Sequence, residues 1–224
     1  MKRSSVGIER KAPLCGHVKN MTDDKKSLIN AITTHALEFG DFTLKSGQKS
    51  NYYLDCRNLT LSSEGLFEII KSMWRVLYVE NVGRVFRTEF DAIGGPSIRA
   101  DPIVGAFCYN QGRVQNGVRG FLIRKQEKPH GKSGLITGPV RPGDKVILVD
   151  DVASSGQTLA DAFDVITDFG CEVIKAITIV DRQEGAETLL AQRGVPWTPL
   201  VTIEELRIDE LADSKTGFTN ATDM

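Results

Sequence analysis

At 224 residues the chain has room for one α/β domain with modest additions, and 41% hydrophobic residues suffice for a core. A formal net charge of −1 excludes the bulk basic field that draws a chain to nucleic acid or an anionic membrane. The cysteines, Cys15, Cys56, Cys108 and Cys171, stand far apart, with no C-x-x-C pair and no disulfide framework, which fits a reducing cytoplasm.

No run reaches the roughly 20 apolar residues of a membrane helix. Residues 1–20 carry Lys2, Arg3, Arg10, Lys11 and Lys19 without the apolar stretch of a secretory signal. The expectation is a disordered extension. A weak targeting segment, or an upstream start before a natural Met21, are the alternatives.

Thr22, Asp23 and Asp24 predict a helix start. Leu28, Ile29, Ile32, Ala36 and Leu37 recur at helical spacing, and Gly40 marks the end. Tyr52, Tyr53 and Leu54 predict a strand. A second helix follows Ser62 and Ser63, with Leu66, Ile69, Ile70, Met73, Trp74 and Leu77 as its apolar stripe. Residues 90–93 predict a strand ending at Gly94-Gly95-Pro96, and 120–124 another. Val146 to Val149 form a buried strand after the Pro142-Gly143-Asp144 turn. Leu159, Phe163 and Ile166 mark a helix closed by Gly170. Residues 173–180 predict a strand and 184–192 a helix. Thr202-Ile203-Glu204-Glu205 reads as a capping box for a last helix, and the polar tail from 213 to 224 as loose. Strand–helix alternation predicts an α/β fold, a mostly parallel sheet with helices on both faces. Ligands of such sheets sit at the carboxyl ends of the strands.

One strand ends in two acids: Val146-Ile147-Leu148-Val149-Asp150-Asp151-Val152-Ala153-Ser154-Ser155-Gly156-Gln157-Thr158. Small residues follow the carboxylates, and then a helix begins. Its first N–H groups are unpaired and carry the positive end of the helix dipole. Small side chains let a phosphate approach them, and Ser154, Ser155 and Thr158 add hydroxyl donors. The loop therefore offers an anion cradle beside two acceptors for sugar hydroxyls. Either acid alone is equally consistent with a helix cap. The stretch is neither a P-loop nor a dinucleotide fingerprint, because Gly-Lys-Ser/Thr and G-x-G-x-x-G are absent.

This segment resembles the phosphoribosyl pyrophosphate signature of type I phosphoribosyltransferases. The resemblance implies that Asp150 and Asp151 meet ribose hydroxyls. It also implies that the loop of Ala153, Ser154, Ser155, Gly156, Gln157 and Thr158 holds the 5′-phosphate. Ser154 and Ser155 depart from the commoner Thr and Ala, keeping a hydroxyl at the first. The implied fold is a parallel-sheet core, here one domain over 21–212, with a small N-terminal hood over about 21–60.

Three further segments resemble orotate phosphoribosyltransferases in particular. Phe42-Thr43-Leu44-Lys45-Ser46-Gly47 and Tyr52-Tyr53 are similar to the hood, where Lys45 and Tyr53 would contact the base and pyrophosphate region. Arg124-Lys125-Gln126-Glu127-Lys128-Pro129-His130-Gly131 is similar to the catalytic loop. There Arg124, Lys125 and Lys128 would face pyrophosphate, and Lys128 and His130 would assist its departure. Asp181-Arg182-Gln183-Glu184-Gly185 would place the planar fork of Arg182 against the orotate carboxylate. Gly94 to Pro102 corresponds to the pyrophosphate loop, and Arg99 stands where other members have lysine or a small residue. Read without the resemblance, Lys45 is a solvated surface lysine. Likewise 124–131 is a basic loop, and Asp181-Arg182 a helix cap with a surface arginine.

The resemblance implies transfer of ribose phosphate from phosphoribosyl pyrophosphate to orotate, with Mg²⁺ held mainly by the substrate and by no direct protein ligand. It implies a cytoplasmic homodimer in which each lid loop serves the neighbour's site, with no nucleic-acid or membrane partner. Two alternatives remain: another base specificity, and a transcriptional regulator that keeps the fold as a ligand sensor. The first predicts no Arg-Lys-x-x-Lys-x-His loop; the second requires a DNA-binding segment longer than residues 1–20.

Overall fold

Val146, Ile147, Leu148 and Val149 are all buried, as an unbroken aliphatic run must be when a sheet is covered on both faces. The computed structural model describes residues 21–43, 47, 49–78, 89–114, 116–126, 134–208 and 211. The aliphatic run lies in β6 (Lys145–Ala153), the centre of a six-stranded sheet. Its other strands are β3 (Ala92–Pro96), β4 (Arg119–Ile123), β5 (Ile136–Thr137), β7 (Glu172–Asp181) and β8 (Trp197–Thr202). The order is β5-β4-β3-β6-β7-β8, parallel throughout except for β5 against β4.

Alternate strand residues feed opposite faces. Ile147, Val149, Ile177 and Ile179 join a core with α1 (Met21–His35), α3 (Ser63–Tyr78) and α4 (Asp101–Arg113). Val146, Leu148 and Ala176 join a second core with α5 (Gln157–Asp168) and α6 (Ala186–Gln192). The expected mostly parallel sheet with helices on both faces is therefore the observed architecture. Apart from it, β1 (Leu37–Thr43) and β2 (Lys49–Leu54) pair antiparallel, and α2 (Cys56–Thr60) follows.

Several boundaries differ from expectation. The first helix ends at His35, and Leu37 and Gly40 belong to β1, because pairing with β2 outweighs the helical spacing. The strand expected over 90–93 runs from Ala92 through Gly94, Gly95 and Pro96. The helix expected from 184 begins at Ala186, after Gly185 at φ 103°. The capping box forms: Thr202 N donates to Glu205 Oε2 at 2.9 Å, and Glu205 N to Thr202 Oγ1 at 3.4 Å. It opens only a 3₁₀ turn, Glu204–Leu206. α2, α4, β1, β5 and β8 have no counterpart among the sequence expectations.

The paired glycines of β3 answer to close approach of its neighbours. A Cβ at Gly95 would lie 1.9 Å from the Val149 carbonyl oxygen, and one at Gly94 2.3 Å from that of Phe121. Their absence lets β3 seat beside β6 and carry the next loop to the acid pair. At the far border, β8 contains Pro199. Proline lacks the N–H a ladder needs, and an edge strand tolerates that.

Candidate active site

Asp150 and Asp151 close β6 at its carboxyl end, 2% and 6% exposed. Burial, and next the charge of Asp151, push the Asp150 carboxyl up to about 7. Burial also raises Asp151, opposed chiefly by the Arg99 guanidinium. Backbone N–H groups hold both acids: Asp151 N donates to Asp150 Oδ1 at 2.9 Å, and Val152 N to Asp151 Oδ1 at 2.7 Å.

The chain then turns through Ser154 and Ser155 to Gly156, whose φ of 80° favours glycine. A Cβ there would also meet the Ala186 Cα at 3.0 Å. The N-cap of α5, Gly156, offers no side-chain cap, and Ser155 Oγ accepts from Gln157 N at 3.4 Å. The positive end of the helix dipole adjoins the cleft, since Gly156, Gln157 and Thr158 line it. Every residue from Ala153 to Thr158 lines this cleft, together with Arg99 and Asp150. The loop 153–158 and Asp150 thus share one cleft, while Asp151 is not among its lining residues.

Arg99 comes from the turn between β3 and α4. Its Nη1 lies 3.5 Å from Asp151 Oδ1, and its side chain stays 58% exposed. Arg182 follows β7, and its backbone N–H donates to the Ala153 carbonyl at 2.8 Å. Its Nη2 pairs with Glu184 Oε1 at 2.8 Å, while its buried Nε has no hydrogen-bond partner among the described residues. Gln183 N donates to Asp181 Oδ1 at 2.8 Å and fixes that turn. Arg124 follows β4, which ends at Ile123 rather than at the expected 124; its buried Nη1 is in the same unpartnered condition, and Lys125 beside it is exposed. Tyr53, on β2, is 40% exposed, its ring 5.5 Å from that of Phe42. Tyr53, Arg124, Lys125 and Arg182 do not line the cleft. Lys45, Lys128 and His130, like residues 1–20 and all of 213–224, lie outside the described residues.

Two neighbours escaped the sequence reading. Thr178 of β7 also lines the cleft, in register with Asp150. The second is the start of α2, where Asp55 accepts from Arg57 N at 3.0 Å and pairs with the Arg57 guanidinium. Next to it, burial pushes the Cys56 thiol well up, with Asp151 and Asp55 adding to the effect. Nothing in the spacing of 55–57 marks it, since this proximity arises only from the fold.

The description phosphoribosyl transferase domain matches residues 114–193, which include the acid pair, the cradle and Arg182. An orotate phosphoribosyltransferase of Rhodopirellula baltica is 37% identical over 83% of this chain and 95% of its own length. The chain belongs to the orotate phosphoribosyltransferase family. Its fold agrees with solved orotate phosphoribosyltransferases of Mycobacterium tuberculosis. The one in complex with Fe(III) dicitrate is 28% identical with a TM-score of 0.70, over 82% of this chain and 98% of that one. The one in complex with 5-phospho-alpha-D-ribosyl 1-diphosphate is 26% identical with a TM-score of 0.66, over the same shares. As in the rest of the orotate phosphoribosyltransferase family, the chain is a phosphoribosyltransferase built on a mostly parallel sheet.

Proposed function

We propose that the chain transfers the 5-phosphoribosyl group of phosphoribosyl pyrophosphate to orotate, giving orotidine 5′-monophosphate and pyrophosphate. The observation that carries this reading is the buried acid pair beside the glycine-led start of α5, in a chain of this family. The 5′-phosphate takes the N–H groups and hydroxyls of 153–158. Asp150 and Asp151 accept from the ribose hydroxyls and steady the charge that develops on the sugar as pyrophosphate leaves. Arg99, Arg124, Lys125 and Lys128 offset the leaving group's charge, and His130 donates a proton to it. Lys45 and Tyr53 face the base and pyrophosphate. Arg182 presents its fork to the orotate carboxylate, a group that uracil and hypoxanthine lack; its unpartnered Nε supports this reading.

Mg²⁺ would be held mainly by substrate oxygens, as hard cations prefer, with no direct protein ligand; the hydroxyls of Ser154, Ser155 and Thr158 keep the surrounding wall oxygen-rich. When bound it neutralises part of the pyrophosphate charge. The protein acts as a cytoplasmic homodimer, with a hood over about 21–60 and each lid loop reaching the neighbour's site. Among the described residues no helix is long and apolar enough to cross a membrane.

Orotate-dependent release of pyrophosphate from phosphoribosyl pyrophosphate, with and without Mg²⁺, tests the reading. Release with orotate and none with uracil or hypoxanthine is expected; preference for either control base overturns the substrate assignment.

A further inference from the structure

Thr178 stands out in β7. Its strand neighbours Ala176, Ile177, Ile179 and Val180 are apolar and buried, and Thr178 is itself 1% exposed. A hydroxyl at such depth costs free energy unless it is bonded. Valine would fill the same space without that cost.

The hydroxyl's partner comes from the next strand. Trp197 of β8 donates from Nε1 to Thr178 Oγ1 at 3.1 Å. An indole N–H donates and cannot accept, so it occupies a lone pair of the hydroxyl and leaves the hydroxyl's own proton to be given elsewhere. On the other side, Thr178 is in register with Asp150 of β6, and both line the cleft. Thr178 therefore sits between Asp150, its register partner on β6, and Trp197, which reaches it diagonally from the position on β8 in register with Ala176. The Asp150 carboxyl accepts at Oδ1 from Asp151 N and also interacts with the Asp151 side chain.

We propose that Thr178 is a positioning residue for the reaction: Trp197 fixes its hydroxyl as a donor, and the hydroxyl donates to the ionised Asp150 carboxylate when the cleft is loaded. The carboxylate is then held in its charged form, aimed at the ribose. Asp151 of the same strand and Arg99 from the turn after β3 are the charged groups that also act on Asp150. The first opposes its ionisation and the second favours it. The inference rests on Asp150 accepting from the ribose, as proposed above.

The sign of the effect is fixed by this arrangement. A donor to the charged form favours ionisation, so its loss makes Asp150 harder to ionise. The acid limb of kcat/KM for phosphoribosyl pyrophosphate should then move to higher pH. Thr178→Val keeps the shape and removes the donor. Expected is an upward shift of that limb by roughly half to one pH unit, the size of one net hydrogen bond. The KM for orotate should stay within about twofold, and Thr178→Ser should restore the limb. Trp197→Phe frees the hydroxyl to turn and should shift the limb in the same direction by less.

Circular dichroism and Tm establish that each variant is folded. If folded Thr178→Val has a limb coincident with wild type, the proposal is overturned. If its activity falls equally at every pH and Thr178→Ser does not restore it, the role is packing and the proposal is equally overturned. Failure of the wild type to release pyrophosphate with orotate would instead overturn the substrate reading, and that result is read separately from the limb.

Discussion

Arg99 Nη1 lies 3.5 Å from Asp151 Oδ1, joining the turn after β3 to the carboxyl end of β6. The guanidinium is the main influence that keeps Asp151 from rising further, and it lowers Asp150 as well. Removing it takes the nearby cation away from two adjacent buried carboxyls.

Arg99→Ala should therefore impair phosphoribosyl pyrophosphate more than orotate. The acids must be ionised to accept from ribose hydroxyls, and both become harder to ionise without the cation. The acid limb of kcat/KM should move up in pH, and at pH 7 the value should fall about tenfold or more, the scale of a charged hydrogen bond. A pH profile identical to wild type would count against the pairing.

Asp150→Asn addresses stability. The Asp150 carboxyl sits near 7 when folded and at the ordinary 3.8 when unfolded. The folded state thus binds the extra proton, and stability falls as pH rises from about 4 to about 7. The amide never ionises. We expect Asp150→Asn to have a higher Tm than wild type at pH 8 and a near-equal Tm at pH 4. Each 1 kcal/mol gained corresponds to about 2–4 °C in a domain of this size. An equal change at both pH values would show that packing, not charge, sets the difference.

Arg182→Ala should weaken orotate far more than phosphoribosyl pyrophosphate. Loss of a charge-assisted bond to the carboxylate costs on the order of 1.5–3 kcal/mol, about tenfold to a hundredfold in affinity. Calorimetric titration of both substrates reads it directly. Equal loss for both would remove Arg182 from the base site.

The shared-site dimer has its own test. Lys128→Ala and Asp151→Asn homodimers should each be nearly inactive. After they are unfolded together and refolded at equal amounts, about half the dimers are hybrids by symmetric pairing. Each hybrid that works in trans has one sound site, so activity should return to roughly a quarter of wild type. No recovery in verified hybrids would place the lid over its own chain's site.

The central strands and their flanking helices were legible because their apolar residues repeat at the right period. Leu159 and Ile166 of α5, and Val146 to Val149 of β6, point inward in sequence as in space. The loop 153–158 that lines the cleft was legible for a related reason: it is contiguous in the chain. What escaped depends on distant pairing. Leu37 continues a helical stripe, yet it lies in β1 because Leu54 is its partner there. α4 carries Pro102, Gly105 and Gly112, a poor helix by propensity. It forms because proline is tolerated in the first turn and Ile103, Val104 and Phe107 find a buried face. β8 was hidden by Pro199. Thr178 was hidden inside an apolar strand, since only register with Asp150 brings it to the cleft.

Both borders of the central sheet are unsuited to receiving another strand. β5 offers only Ile136 and Thr137, and β8 interrupts its outer row of donors with Pro199. An exposed strand border is a template on which a second chain can add by backbone pairing, and brevity and proline both blunt it. Crowded copies of this chain therefore lack a ready route to end-on sheet growth, and Pro199→Val should make the protein form strand-rich aggregates on gentle warming sooner than wild type does.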